Sequence, residues 1–577
     1  MRSLTISFGR TISFGFRKGG LAALLLSFST SPMWGAACKV ASPHKLSEAE
    51  VVFQKGDHAQ AATLLEADLA RTPGDPDETA LLVRALLWQQ KTAEASDALN
   101  KALLAHPDSA TLLTEKAEVL YRQGKPWEMG SAVVSALKAD PCFPRAYMLY
   151  SWLMSVESNR ASWRKAVQTA HQLDPNDDEI RTAWMNTLPL VDRIAAVQAD
   201  IDSGRITDSA KLEARKKDLD ALKKLVDEPP KQCRLASQEE TAEVPMLAIM
   251  AQQRGGAQHG SLEANSYGLG VRINGHESML QIDTGASGLT ISKSAAEHAG
   301  LKLTQSLKVG GIGDEGPAAG HLAYADSIQI GGLEFKDCAV TVLDKLAIGE
   351  QDGIIGTDVF SAYLLTLDYP MHKLVLAQLP RRPDEPQQPE TRLATSGSDV
   401  PDSKPANSGA AGAAGKTNDS QNRLYDRYIA PEMKDYLPVY RVGHDLITPG
   451  SLHKPDLGLF IIDTGAWATY VTSDAARPYT KVDENRSQVI IGLNGKVEHP
   501  YVAEVVDVSF GGISKRLLGV PAISLNRGFF PGMEVSGLIG ADILQDLTIH
   551  LDYRDGLVKF DYDPKRGFHP LNRDTAY

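Results

Sequence analysis

The chain has 577 residues, 43% of them hydrophobic and 23% charged, and a formal net charge of −12. That length exceeds what one hydrophobic core holds, so three or four domains are expected. The acidic balance, without a basic run in any segment that reads as folded, excludes an ordinary nucleic-acid binder.

Residues 1–20 carry Arg2, Arg10, Arg17 and Lys18 and no acid, and Leu21–Phe28 follows as an apolar run. Gly35–Cys38 then supplies small residues at a cleavage point. This order predicts a signal peptide over 1–37 and an exported protein, periplasmic or extracellular. The run is too short for a permanent membrane span. Cleavage after Ala37 leaves Cys38 first, so a membrane-anchored lipoprotein is the alternative; a membrane contact is expected only if Cys38 is lipidated. Cys38, Cys142, Cys233 and Cys338 make no CxxC pair, which argues against zinc. Export permits disulfides. The sequence leaves their pairing open, and buried thiols fit equally well.

Pro73, Pro107, Pro141 and Pro175 recur every 34 residues. Ala102, Ala136 and Ala170 share one column of this period. Gly56, Gln90, Gly124 and Ser158 share another, where a turn between paired helices falls. Four such units fit residues 42–175. The period, the small residues and the closing proline together resemble the tetratricopeptide repeat. The resemblance implies an all-α solenoid over 42–184, in which stacked helix pairs bury what one pair cannot. It also implies a concave surface for a protein partner; a plain spacer is the competing reading. Residues 185–230 predict a helical extension of two amphipathic helices joined at Ser203-Gly204, with Asp200 and Asp202 on its solvated face.

From residue 262 glycine, β-branched residues and period-two alternation predict an all-β region. "MLQIDTGASGLTISK" (Met279–Lys293) recurs as "LFIIDTGAWATYVTS" (Leu459–Ser473), 180 residues later. Gly331-Gly332 and Gly511-Gly512 keep that offset. "DGIIGTDVF" and "SGLIGADIL", then "LLTLDY" and "TIHLDY", follow at an offset of 184. The region is therefore duplicated, with one copy over 262–379 and another over 424–565. Residues 380–423, rich in Pro, Ser, Gly and Ala, predict a disordered linker.

Asp-Thr-Gly-Ala after an apolar strand, a glycine-rich hairpin, and "IIG" or "LIG" before a short helix resemble the aspartic proteases. Copies this short resemble the single-lobe retroviral (retropepsin-like) type found also in bacteria. The implied architecture is multidomain: a tetratricopeptide-like solenoid followed by two all-β acid-protease lobes. The implied activity is an endopeptidase acting on a peptide or protein substrate, with Asp283 and Asp463 activating water and no cofactor or metal. Two facing carboxylates can serve as base and acid if they share one proton. By the same resemblance Thr284 and Thr464 brace the loops. Gly285 and Gly465 permit close approach, and Gly356 and Gly540 lie under the loops. Gly310, Gly311, Ile312 and Gly313, with Ile491, Gly492 and Leu493, form flaps over the substrate.

The copies differ where Ser287 follows Ala286 but Trp467 follows Ala466. Ser287 is expected to bond near Asp283, which Trp467 cannot do. The alternative function is therefore a non-catalytic peptide-binding or scaffold protein on the same fold. The copies could pair within one chain or between two. His276, His298, His321 and His444 are isolated and read as surface or core, and no HExxH occurs.

Overall fold

Local signals account for the helices. A computed structural model describes residues 38–566, apart from 43–44, 207, 228, 230, 232, 253–261, 347–350, 384, 386–423, 486–488 and 526–531. The expected signal peptide, most of the expected linker and part of 185–261 lie outside the described residues. Helix pairs run from Glu48–Gln54 and His58–Leu69 to Pro144–Val156 and Arg160–Leu173. Ser47 and Glu50 form a capping box on the first helix, and Asp57, Asp75, Ser109 and Asp177 cap others through their side chains. The expected turn column is the left-handed position of each pair: Gly56, Gln90, Gly124 and Ser158 have φ of 86°, 61°, 67° and 60°. The recurrent prolines fall between pairs, after helices ending at Leu69, Ala105, Ala139 and Leu173. Ala102, Ala136 and Ala170 are buried, letting neighbouring helices approach.

The extension is two helices, Leu190–Asp202 and Ser209–Asp227, with Gly204 at φ 68° between them. Asp202 is exposed, but Asp200 corrects the expectation of a solvated face. It is 6% exposed and accepts from Arg181 Nε at 2.7 Å. A buried carboxylate is held by a cation that lies 19 residues away in sequence, beyond any helical period.

Each lobe is built on a mixed sheet. In lobe 1 the strand His276–Asp283 pairs in parallel with Gly353–Gly356, and Gly356 lies opposite Asp283. In lobe 2 Asp456–Ile462 pairs in parallel with Gly537–Ile539. A third sheet of six strands joins the lobes, and at its centre Tyr363–Asp368 runs antiparallel to Thr548–Asp552. Thr366 and His550, counterparts at the 184 offset, are direct partners there, with Thr366 Oγ1 and His550 Nδ1 2.8 Å apart. A pseudo-two-fold axis therefore passes between them, and the two copies pair within one chain. The strands Arg234–Leu235, Ala242–Pro245 and Leu247–Gln252 join lobe 1 or the shared sheet. Lobe 1 thus draws on residues before 262; these short strands carry too little alternation to read as β.

One apolar core, from Val271 and Ile282 to Ile462 and Ile549, runs through both lobes. A second joins Leu120, Met129, Leu149 and Leu153 of the helical pairs to Leu459, Tyr470 and Val535 of lobe 2. The turns of three units face lobe 2. Thr92 bonds the Glu534 side chain, Glu534 N donates to the Arg122 carbonyl at 2.9 Å, and Arg427 N donates to Asn159 Oδ1 at 3.1 Å. Disulfides Cys38–Cys142 and Cys233–Cys338 account for all four cysteines.

Two glycines separate backbone strain from docking. A Cβ at Gly56 meets nothing within 4 Å, whereas one at Gly124 falls on the Glu534 carbonyl. Gly56→Ala should therefore cost about 1 kcal/mol, the ordinary left-handed penalty. Gly124→Ala should cost roughly 3 kcal/mol or more, because docking must also shift. Equal losses in thermal or denaturant unfolding would show that lobe 2 does not rest on this turn.

Candidate active site

Each Asp-Thr-Gly loop leaves the end of a buried strand and meets the other across the pseudo-two-fold. Thr284 N donates to Thr464 Oγ1 at 3.0 Å, and Thr464 N donates to Thr284 Oγ1 at 2.9 Å. Each hydroxyl then donates onward into the opposite strand, Thr284 to the Ile462 carbonyl at 2.6 Å and Thr464 to the Ile282 carbonyl at 3.3 Å. Both side chains are excluded from water, where such bonds are strong and an unpaired group is costly. Gly285 and Gly465 sit against the opposite carboxyls; a Cβ on Gly285 would lie 3.0 Å from Asp463 Cγ. Gly356 and Gly540 lie under the loops, where a Cβ would meet the Ala286 and Ala468 carbonyls.

This grip brings Asp283 and Asp463 into a side-chain hydrogen bond with each other. Burial pushes both carboxyls up, and the Asp463 charge adds to the rise at Asp283. Two like charges in contact in a partly desolvated site do not readily both ionise, so the pair favours sharing one proton. The two environments differ. Asp463 Oδ1 accepts from Gly465 N at 3.0 Å and Ala466 N at 2.9 Å, whereas among the described residues Asp283 accepts from one backbone donor, Gly285 N at 2.7 Å.

Behind each loop stands a second carboxylate that sequence reasoning passed over. Asp358 accepts from Gly288 N at 2.8 Å and Ser287 Oγ at 2.9 Å. Asp542 accepts from Thr469 N at 2.8 Å and Thr469 Oγ1 at 2.7 Å. These two aspartates keep the 184 offset, and that register was the signal available for them. Ser287 therefore supports its loop through Asp358 and not beside Asp283, which corrects the expectation. Thr469 performs the same task in lobe 2, so Trp467 costs that loop no support. Trp467 instead bonds the Tyr470 hydroxyl and stays 53% exposed.

The expected flap residues are also brought together. The tips lie between Leu303–Val309 and Ala318–Ile330 in lobe 1, and at Ile491–Gly492 and Gly495–Lys496 in lobe 2. Asn494 N donates to the Ile312 carbonyl at 2.9 Å, Glu315 N to the Asn494 carbonyl at 3.0 Å, and Glu498 N to Asp314 Oδ2 at 2.8 Å. Gly311 and Gly313 pack against Leu493 and Asn494, and Gly492 packs against Ile312, with no room for a Cβ at any of the three. A Cβ at Gly310 meets nothing within 4 Å, and Ile491 is exposed. Among the described residues no group of three or more His, Cys, Asp or Glu is placed to hold a metal ion.

Two further polar residues reach the loops from the opposite lobes. Gln281 Nε2 donates to the Gly465 carbonyl at 3.0 Å, and His444 Nε2 lies 3.1 Å from the Gly285 carbonyl. His444 is thus placed at the site, contrary to its reading as an isolated histidine. Its neighbour Asp445 is buried, and desolvation pushes its carboxyl up to about 7.

The grip and the buried acid make separate predictions. Thr284→Val removes a hydroxyl that makes two cross-lobe bonds and should lower stability by about 2–4 kcal/mol, with Thr284→Ser losing far less. Equal unfolding midpoints for valine and wild type would remove the grip from the account. For Asp445, the folded value of about 7 stands above an unfolded value of about 3.9. Its neutral form stabilises the fold, fully below about pH 4, and this contribution is lost as pH rises through about 7. Asp445→Asn should therefore gain stability relative to wild type between about pH 4 and pH 7, read as a widening difference in Tm. A constant difference across that window would contradict the burial argument.

Residues 269–359 match the family model described as aspartyl protease, and residues 52–117 match that described as tetratricopeptide repeat. No curated protein matches the sequence. Among solved structures, the chain is similar to a thermophilic tetratricopeptide-repeat protein of Thermus thermophilus, with 18% identity over 30% of this chain and 95% of that one, at a TM-score of 0.26. It is also similar to an aspartic proteinase from Irpex lacteus, with 12% identity over 57% of this chain and 98% of that one, at a TM-score of 0.31. By its two family matches the chain joins a tetratricopeptide-repeat segment to a retropepsin-like aspartyl protease segment.

Proposed function

We propose that the chain is an exported aspartic endopeptidase whose Asp283 and Asp463 form the catalytic pair within one polypeptide. The observation that carries this reading is the hydrogen-bonded contact of two half-buried carboxyls held by the threonine grip. The better-solvated anion is Asp463, which accepts two backbone N–H groups. In the proposed reaction the anionic carboxylate takes a proton from water as the water oxygen bonds to the substrate carbonyl carbon. The protonated carboxyl gives its proton to the carbonyl oxygen, forming a neutral diol. One carboxyl then delivers a proton to the amide nitrogen while the other takes a proton from a diol hydroxyl, the C–N bond breaks, and a carboxylic acid and an amine leave. The pair ends with the single proton it began with.

Export is supported by the leader-like order of residues 1–37 and by two disulfides that use every cysteine, a pattern suited to an oxidising compartment. A Cys38 sulfur bonded to Cys142 cannot also carry a thioether lipid, which favours a soluble exported form over an anchored one. The repeats already use their turn edge to hold lobe 2. Between the first helices of the stacked pairs Arg145 pairs with Glu115 at 2.7 Å and Glu179 at 3.3 Å, and Arg84 with Glu179 at 3.5 Å. The proposed role of recruiting a substrate or partner protein falls to the repeat surface that lobe 2 leaves free.

The full-length chain, assayed on a peptide library from about pH 3 to pH 7, should cleave peptides. Asp283→Asn and Asp463→Asn should each lower kcat by about a thousandfold or more. If wild type cleaves nothing that either variant fails to cleave, the chain is a peptide-binding or scaffold protein on this fold.

A further inference from the structure

The two Asp-Thr-Gly loops are braced alike by their threonines but capped differently. The carbonyl of Gly465 receives the neutral amide of Gln281, and the carbonyl of Gly285 receives an imidazole, that of His444. The lobe 2 counterpart of Gln281 is Ile461, and the strand register places Asn265 of lobe 1 opposite His444 in the duplication, so neither cap is a product of it. His444 stands in the two-residue turn Gly443-His444 between Tyr440–Val442 and Asp445–His453, with Gly443 at φ 60°. Glycine at the first central position is what such a tight hairpin turn requires. The turn therefore holds the ring rigidly against the other lobe.

Gly285 is fixed from both sides. Its N–H donates to Asp283 Oδ1 at 2.7 Å, and its carbonyl accepts from His444 Nε2. A carbonyl only accepts, so Nε2 carries a proton and Nδ1 is the nitrogen free to gain or lose one. With that second proton the ring becomes a cation among acids. Asp445 of its own hairpin lies 3.6 Å from Nε2. Asp358 behind the lobe 1 loop and Asp463 of the pair also interact with its charge. Arg441 and the Tyr553 hydroxyl interact with the same Asp358.

We propose that His444 is a positioning residue for the carboxyl pair: it anchors the Gly285 end of the lobe 1 loop and, whenever the ring carries both protons, places a positive charge beside the pair. This rests on the peptidase reading for its kinetic arm only. A cation beside the pair favours its fully ionised form, and removing that cation makes the last proton harder to lose.

The test compares full-length wild type, His444→Gln and His444→Ala on one cleaved peptide from about pH 3 to pH 8. Glutamine keeps a donor for the Gly285 carbonyl but can carry no charge; alanine keeps neither donor nor charge. His444→Ala should lower kcat about tenfold with KM nearly unchanged, the effect of losing one well-placed hydrogen bond. His444→Gln should recover most of kcat at acid pH, with the alkaline limb moved up by about half a unit or more. The second readout needs no turnover: carboxyl 13C shifts of the aspartate-labelled chain, with the pair assigned through Asp283→Asn and Asp463→Asn. An upward shift of the pair's titration in His444→Gln supports the proposal even if wild type cleaves no peptide, and in that case only the peptidase reading falls. Superimposable titrations in wild type and both His444 variants overturn it, whatever the activity.

Discussion

Four buried hydrogen bonds between Thr284, Thr464 and the opposing strands hold two loops whose carboxyls repel each other when charged. Neither lobe can make this grip alone, since each threonine needs the other's backbone. The shared six-stranded sheet brings the loops into reach, and its central Thr366–His550 pair marks the axis. Burial then does the electrostatic work. It takes away much of the water that would let both aspartates ionise, and so favours one proton held between them.

Around this symmetric centre the supports are unequal. Asp358 and Asp542 back the two loops in the same register, but through different donors. Gln281 and His444 cap them from non-equivalent positions. Lobe 2 is further held by the helical pairs, whose turns contact the Glu534 and Arg427 regions. It is held also at Asp555, which Arg382 before the 386–423 segment and Tyr428 N after it both reach. The two lobes therefore differ more in what holds them than in the loops they contribute.

Much of the site was legible because duplication writes a signal into sequence. Asp283 and Asp463, Thr284 and Thr464, and the glycines beneath them recur at fixed offsets, and the structure brings them together. The flap tips were legible as glycine-rich hairpins, and they meet through backbone bonds. What escaped was made of single copies. Asp200 looked solvated because its partner Arg181 lies outside any helical repeat, and His444 looked isolated because its partner is a main-chain carbonyl 159 residues away. Ser287 was assigned the nearer aspartate in sequence, whereas the fold turns it to Asp358.

The sequence by itself determined the helical period, the turn column, the duplication and the two acids, because each is a local or repeated constraint on backbone or burial. Only the tertiary structure decided that the lobes pair within one chain, that the repeats rest on lobe 2, that Cys38 joins Cys142, and that an imidazole stands behind one loop. Those outcomes depend on surfaces far apart along the chain. Their contacts follow from shape and the exclusion of water, which leave no periodic trace in the order of residues.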